Sequence, residues 1–142
     1  DSSSPTTSFV LEMTFNASAE KIAGAIAESV KPRYNGEPSD INDLEALIVE
    51  LGLSSHIRFI GNINNQFDWM RGSRVVVIPS LWYEACPFTV IESMACGSAM
   101  VVSDAGGIPE LVDDTALVYP KGDTIALANQ LKKLQTIVPL FI

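Results

Sequence analysis

The chain has 142 residues, 47% of them hydrophobic, with 17 acidic against 9 basic side chains and a formal net charge of −8. That length suits one domain with a real core. The acidity argues against nucleic acid and against a broad electrostatic grip on anionic lipid. No apolar run approaches the roughly 18 residues that a membrane-spanning helix needs.

Taken in order, Asp1 to Thr7 reads DSSSPTT, a polar tail expected to be disordered, with the folded domain starting at Ser8. Ser8 to Met13 reads as a short strand. Ser18 is placed to cap a helix running to about Val30, with Ile22, Ile26 and Val30 on one face. Lys31 to Pro38 is a turn-rich joint with no clear apolar strand before it. Asp40 then caps a helix whose stripe of Ile41, Leu44, Leu47, Ile48 and Leu51 is core by its periodicity, and Gly52 stops it. His56 to Gly61 reads as a strand entering a glycine turn. His56 is the sole histidine, and no Gly-x-Ser-x-Gly elbow accompanies it, so a Ser-His-Asp hydrolase is disfavoured. Asn62 to Gln66 is an amide-rich turn. A short helix over Phe67 to Arg71 follows, ending at Gly72, with Trp69 and Met70 expected as core contacts under it.

The most informative stretch runs from Val75 to Glu110. A β-branched run, Val75 to Ile78, stops at Pro79. A polar turn carries Trp82, Tyr83 and Glu84. A helix is expected to open with Pro87 at its first position and to close before Gly97. A second apolar run, Ala99 to Val102, ends in Ser103-Asp104 and the Gly106-Gly107 turn. This is a βαβ unit, whose loops lie beyond the carboxyl ends of parallel strands, where α/β proteins bind ligands. A helix N-terminus there offers free N–H groups and partial positive charge to a phosphate. Glu84 and Glu92, with seven residues between them, add acceptor-only groups suited to sugar hydroxyls. The last elements are a turn of helix from Pro109, a strand over Thr115 to Tyr119, and a helix capped by Asp123 with Leu127, Leu131 and Leu134 on its apolar face. The apolar end, Thr136 to Ile142, is expected to pack on this domain or on a partner. Cys86 and Cys96 show no zinc spacing and read as reduced thiols, consistent with a cytosolic protein. No secretory signal is visible after Asp1, as would also hold for a trimmed start.

Pro79-Ser80, Tyr83-Glu84, the run Glu92 to Gly97, and Gly106-Gly107-Ile108-Pro109-Glu110 together resemble the donor-binding half of GT-B glycosyltransferases. More narrowly, they resemble the retaining group 1, or family 4, enzymes with their Glu-x7-Glu motif. The resemblance runs from about Asp40 to about Leu134. It implies a three-layer α/β fold with a Rossmann-like parallel sheet flanked by helices, the C-terminal half of a GT-B fold. It also implies transfer of a sugar from a nucleotide diphosphate sugar to an acceptor hydroxyl, with retention, in polysaccharide biosynthesis.

By the same resemblance, Glu84 contacts the donor sugar and is the candidate catalytic residue, and Glu92 holds the ribose hydroxyls. Phe88 and Thr89 offer N–H groups to the donor. Ser80, Gly61 and Ile63 line the donor site, with Ile63 against the base, and Asn64 to Gln66 either meet the base edge or cap the next helix. The family's diphosphate-gripping Arg would fall where Glu12 stands, and Lys21 is the candidate for its Lys, lying several residues further along. No metal and no cofactor are expected, the nucleotide sugar being a substrate. The acceptor (sugar, lipid-linked or glycan) would bind a separate N-terminal domain, so this chain alone is expected to be inactive. The expected location is the cytoplasm, including the inner face of a membrane. Glu12 and the irregular first 38 residues keep open a non-catalytic nucleotide-sugar-binding or interaction module. A nucleotide-sugar epimerase or a phosphorylase fits less well, for want of acid/base side chains or a cofactor lysine.

Overall fold

Residues 9–11, 18–30, 41–59, 64–83 and 87–137 are described by a computed structural model. They fall into two units, Asp1–Asn64 and Asn65–Ile142.

In the first unit a strand β1 (Phe9–Leu11) is followed by helices α1 (Ala19–Val30) and α2 (Ile41–Glu50) and a strand β2 (Ile57–Phe59). Ser18 caps α1 as its sequence suggests, its hydroxyl accepting from the Lys21 amide at 3.3 Å. The buried side of α1 is Ala19, Ile22, Ala23, Ala25 and Ile26, and α2 contributes Leu44 and Ile48. The helix α2 ends at Gly52, which has φ +72. The Gly52 amide donates to the Val49 carbonyl and the Leu53 amide to the Ile48 carbonyl, at 3.0 and 2.9 Å. Buried Leu53 and Ile48 complete this Schellman motif. Asp40, the expected cap of α2, lies outside the described residues.

The two strands pair antiparallel, with Phe9 opposite Phe59 and Leu11 opposite Ile57. They therefore do not extend a parallel sheet. A single crossover helix returns the chain to a parallel strand. Here two helices, α1 and α2, follow one another between β1 and β2 among the described residues, and the second strand arrives reversed.

The second unit carries the βαβ pattern. Helix α3 (Gln66–Gly72) precedes strand β3 (Val76–Ile78), helix α4 (Phe88–Ala95), strand β4 (Met100–Ser103), helix α5 (Ile108–Val112), strand β5 (Leu117–Tyr119) and helix α6 (Thr124–Ile137). The three strands form one parallel sheet in the order β3-β4-β5. All four residues of the central strand β4 are buried, as expected of a parallel strand covered on both faces. On one face Ile78, Met100 and Val102 pack with Val90 of α4 and with Ile108 and Val112 of α5. Strand alternation turns Val101, Ser103 and Tyr119 the other way. Helix α6 packs on β4 and β5 and buries Leu127, Ala128 and Leu131. Helix, sheet and helix make the three layers. Each fully buried Val, Leu or Ile contributes about 1.5–3 kcal/mol of transfer free energy.

Two local expectations are corrected. Helix α3 has no buried residue, so Trp69 and Met70 are half-buried contacts rather than core. Pro87 is the N-cap of α4, not its first helical residue, with φ −70 and ψ 126. That extended backbone is as compatible with a proline ring as the helical one. The C-terminal residues from Val138 onward lie outside the described set.

Candidate functional site

The parallel strands β3, β4 and β5 all end on one edge, and hydrogen bonds lace their ends together. The hydroxyl of Ser103 donates to the Ser80 carbonyl at 2.7 Å. The Asp104 amide donates to the Tyr119 carbonyl at 3.0 Å. The Lys121 amide donates to the Asp104 carboxylate at 2.8 Å. The phenol of Tyr119 has its pKa pushed up to about 12, first by burial and then by the negative charge of Asp104. Beyond β4 the chain turns at Gly106, whose φ of 51 lies in the left-handed region that glycine tolerates best. Gly107 has φ −86 and is the N-cap of α5, so only the first of the two glycines is required by the turn.

Helix α4 begins at the same edge, after β3. Val90 and Ile91 donate to the Pro87 carbonyl at 3.2 and 3.5 Å. Nothing among the described residues accepts from the amides of Phe88 and Thr89, the first two of the helix. Such free first-turn N–H groups carry the positive end of the helix dipole. Phe88 is 77% exposed, and Thr89 is also exposed. Glu92 is half-buried and stands four residues after Phe88, one turn along the same helix. The helix is anchored from below by Val90 and by Ser93, whose hydroxyl donates back to the Thr89 carbonyl at 2.8 Å. It closes in a second Schellman motif at Gly97, φ +68, with Gly97 and Ser98 donating to Met94 and Ser93 at 3.0 Å each.

Ser80, Phe88, Thr89 and Glu92 thus belong to one unit and to one loop-and-helix segment. Lys21 belongs to the other unit, in the first turn of α1, with its side chain exposed. Glu84, Cys86, Gly61, Ile63 and Glu12 lie outside the described residues. Asn65 is the N-cap of α3 through its backbone alone, without a side-chain cap bond, and Asn64 and Asn65 are both exposed. Cys96 is a free, half-buried thiol. The interstrand bond of Ser103 and the Asp104–Lys121 bond were not read from the sequence. Their only signal is polar residues placed directly at the end of a buried apolar run. Among the described residues no three His, Cys, Asp or Glu side chains gather as a metal site. No described helix is long and apolar enough to cross a membrane.

A family model described as "Glycosyl transferases group 1" matches residues 14–136. An uncharacterised glycosyltransferase of Methanocaldococcus jannaschii is 32% identical over 130 residues, 83% of this chain and 33% of that protein. The lipopolysaccharide core biosynthesis mannosyltransferase LpsB of Rhizobium meliloti is 32% identical over 92 residues, 62% of this chain and 26% of that protein. Among solved structures, sucrose-phosphate synthase from Thermosynechococcus elongatus superposes with a TM-score of 0.64 at 26% identity, over 84% of this chain and 33% of that one. The chain therefore spans a third or less of the length of each of these proteins.

Proposed function

Since the chain belongs to the glycosyl transferases group 1 family and has the α/β architecture of GT-B enzymes, we propose that it is the donor-binding part of a retaining glycosyltransferase. In this reading a nucleotide diphosphate sugar binds at the carboxyl edge of β3–β5, and its sugar passes to an acceptor hydroxyl held by a separate domain. The observation that carries the reading is the start of α4: the amides of Phe88 and Thr89, without an acceptor among the described residues, with the Glu92 carboxylate one turn below.

The roles follow from chemistry. The amides and the helix dipole meet the donor's diphosphate, where charge grows as the glycosidic bond breaks, so their stabilisation increases toward the transition state. Glu92, an acceptor-only group, takes hydrogen bonds from the ribose hydroxyls, and Glu84 does the same for the sugar. Ser80, in the segment between β3 and α4, adds to the donor pocket. The departing phosphate itself helps to deprotonate the acceptor on the front face, so no enzymic nucleophile is required. The homology to a lipopolysaccharide core mannosyltransferase supports a glycan or lipid-linked acceptor. A cytoplasmic site, including the inner face of a membrane, suits that acceptor.

The test is ligand-observed NMR on the purified chain with UDP-, GDP- and ADP-sugars. We expect one base to bind, and Glu92→Ala to weaken it by about tenfold or more, the worth of one charge-assisted hydrogen bond. Binding of all three classes untouched by Glu92→Ala would overturn the assignment. Glycosyl transfer by the 142-residue chain alone would overturn the need for a second domain.

A further inference from the structure

Ser103 closes β4 with a wholly buried side chain between Val102, equally buried, and the exposed Asp104. A hydroxyl in such a place is costly without a partner, and it has one, the Ser80 carbonyl at 2.7 Å. The position of this bond is informative. The β3–β4 ladder runs Val76↔Met100, Val77↔Val101, Ile78↔Val102, so Pro79 falls opposite Ser103. Proline has no N–H to continue a ladder. The Ser103 side chain carries the pairing one residue further, to the stem of the segment that leads from β3 to α4. On its other side β4 continues in register with β5, Ser103 opposite Tyr119, and the Asp104 amide donates to the Tyr119 carbonyl. One end of the hydroxyl bridge is therefore fixed in the sheet, and the other holds the loop.

We propose that Ser103 is a positioning residue for donor binding: its hydroxyl sets the direction in which the chain leaves β3 through Ser80, and with it the approach to the first turn of α4. The inference rests on the donor-site reading above. Ser103 touches no substrate. It acts through Ser80.

The experiment has one arm that needs no donor. Backbone ¹⁵N order parameters of Ser80 to Tyr83 are measured in the intact chain, in Ser103→Ala and in Ser103→Thr. We expect them to fall toward the flexible range, below about 0.6, in the alanine variant. They should return to the parent values in the threonine variant, while those of α6 stay unchanged. In the second arm, affinity for whichever nucleotide sugar binds the parent chain drops about tenfold in Ser103→Ala and is restored by threonine. Order parameters unchanged in Ser103→Ala would overturn the proposal whether or not any donor binds. Donor affinity lost in Glu92→Ala but kept in Ser103→Ala would overturn it while leaving the donor site standing. A parent chain that binds no nucleotide sugar counts against the donor site, and the first arm still decides the role of Ser103. Should the alanine variant not fold, Ser103→Cys preserves the volume with a weaker donor and carries the same measurements.

Discussion

The carboxylate of Asp104 accepts the backbone amide of Lys121 at 2.8 Å, joining the end of β4 to the turn after β5 across 17 residues of sequence. Tyr119 lies between them in the chain, 4% exposed, with its phenol held at about 12 by burial and by the Asp104 charge. The sign of the pH effect follows. Below pH 10 the phenol is neutral in folded and unfolded chains, and its stabilising contribution is complete. Above pH 10 the unfolded chain releases this proton first. Stability is then lost at about 1.4 kcal/mol per pH unit until the folded group titrates near 12, a total of about 2–3 kcal/mol. Urea midpoints should show the parent chain losing stability relative to Tyr119→Phe as pH rises from 10 to 12. Parallel curves would show that Tyr119 is not perturbed.

Three backbone positions should respond to substitution with different signs. Gly97 has φ +68 and open space where a Cβ would sit, so Gly97→Ala costs about 1 kcal/mol through backbone conformation alone. Gly24 lies within α1 with nothing near a Cβ and no positive φ, so Gly24→Ala stabilises by about 0.5–1 kcal/mol. Asp113 holds φ 48 with ψ −115, a conformation suited to glycine, and Asp113→Gly should stabilise by about 1 kcal/mol. Thermal or urea unfolding of the three variants reads these directions, and a stabilising Gly97→Ala would contradict the cap geometry.

Helix α6 should show a sharp contrast between its faces. Leu131 is fully buried and Ile125 is 76% exposed. Leu131→Ala should cost about 2–5 kcal/mol through lost transfer energy and cavity, while Ile125→Ala stays within about 0.5 kcal/mol. Equal effects at the two sites, measured by chemical denaturation, would mean that α6 does not pack on the sheet through this side.

The N-cap of the same helix is a separate contribution. The Asp123 carboxylate accepts from the Ala126 amide at 2.9 Å, and Asp123→Ala should cost about 1 kcal/mol, with Asp123→Ser or Asp123→Asn recovering most of it. Helix content by circular dichroism near the melting point, together with the midpoint itself, checks the loss.

Much of both units was legible in the residues because the signals are local. Ser18 and Asp123 are caps, and Gly52 and Gly97 are stops, through bonds spanning five residues or fewer. The apolar runs at Val76–Ile78 and Met100–Ser103 are strands because β-branched residues bounded by proline and glycine suit a sheet covered on both faces. The motif linking Glu92 to Gly106-Gly107 points to the carboxyl ends of the parallel strands, where α4 and the turn after β4 begin.

The residues alone thus determined the order of the described elements, the caps at Ser18 and Asp123, and the family. Elements and caps depend on neighbours within one turn of helix or one strand, and the family on the order and spacing of short motifs from Pro79 to Glu110. Only the tertiary structure decided that β1 and β2 run antiparallel, because strand direction is fixed by which strands pair, and Phe9 and Phe59 lie far apart along the chain. It also decided that Pro87 caps α4 from outside the helix, that Trp69 and Met70 stay half-buried, and that Ser103 reaches Ser80. Partners that lie 23 residues apart along the chain meet only when the sheet register is set. That register comes from packing the two faces of β4, which no local pattern encodes.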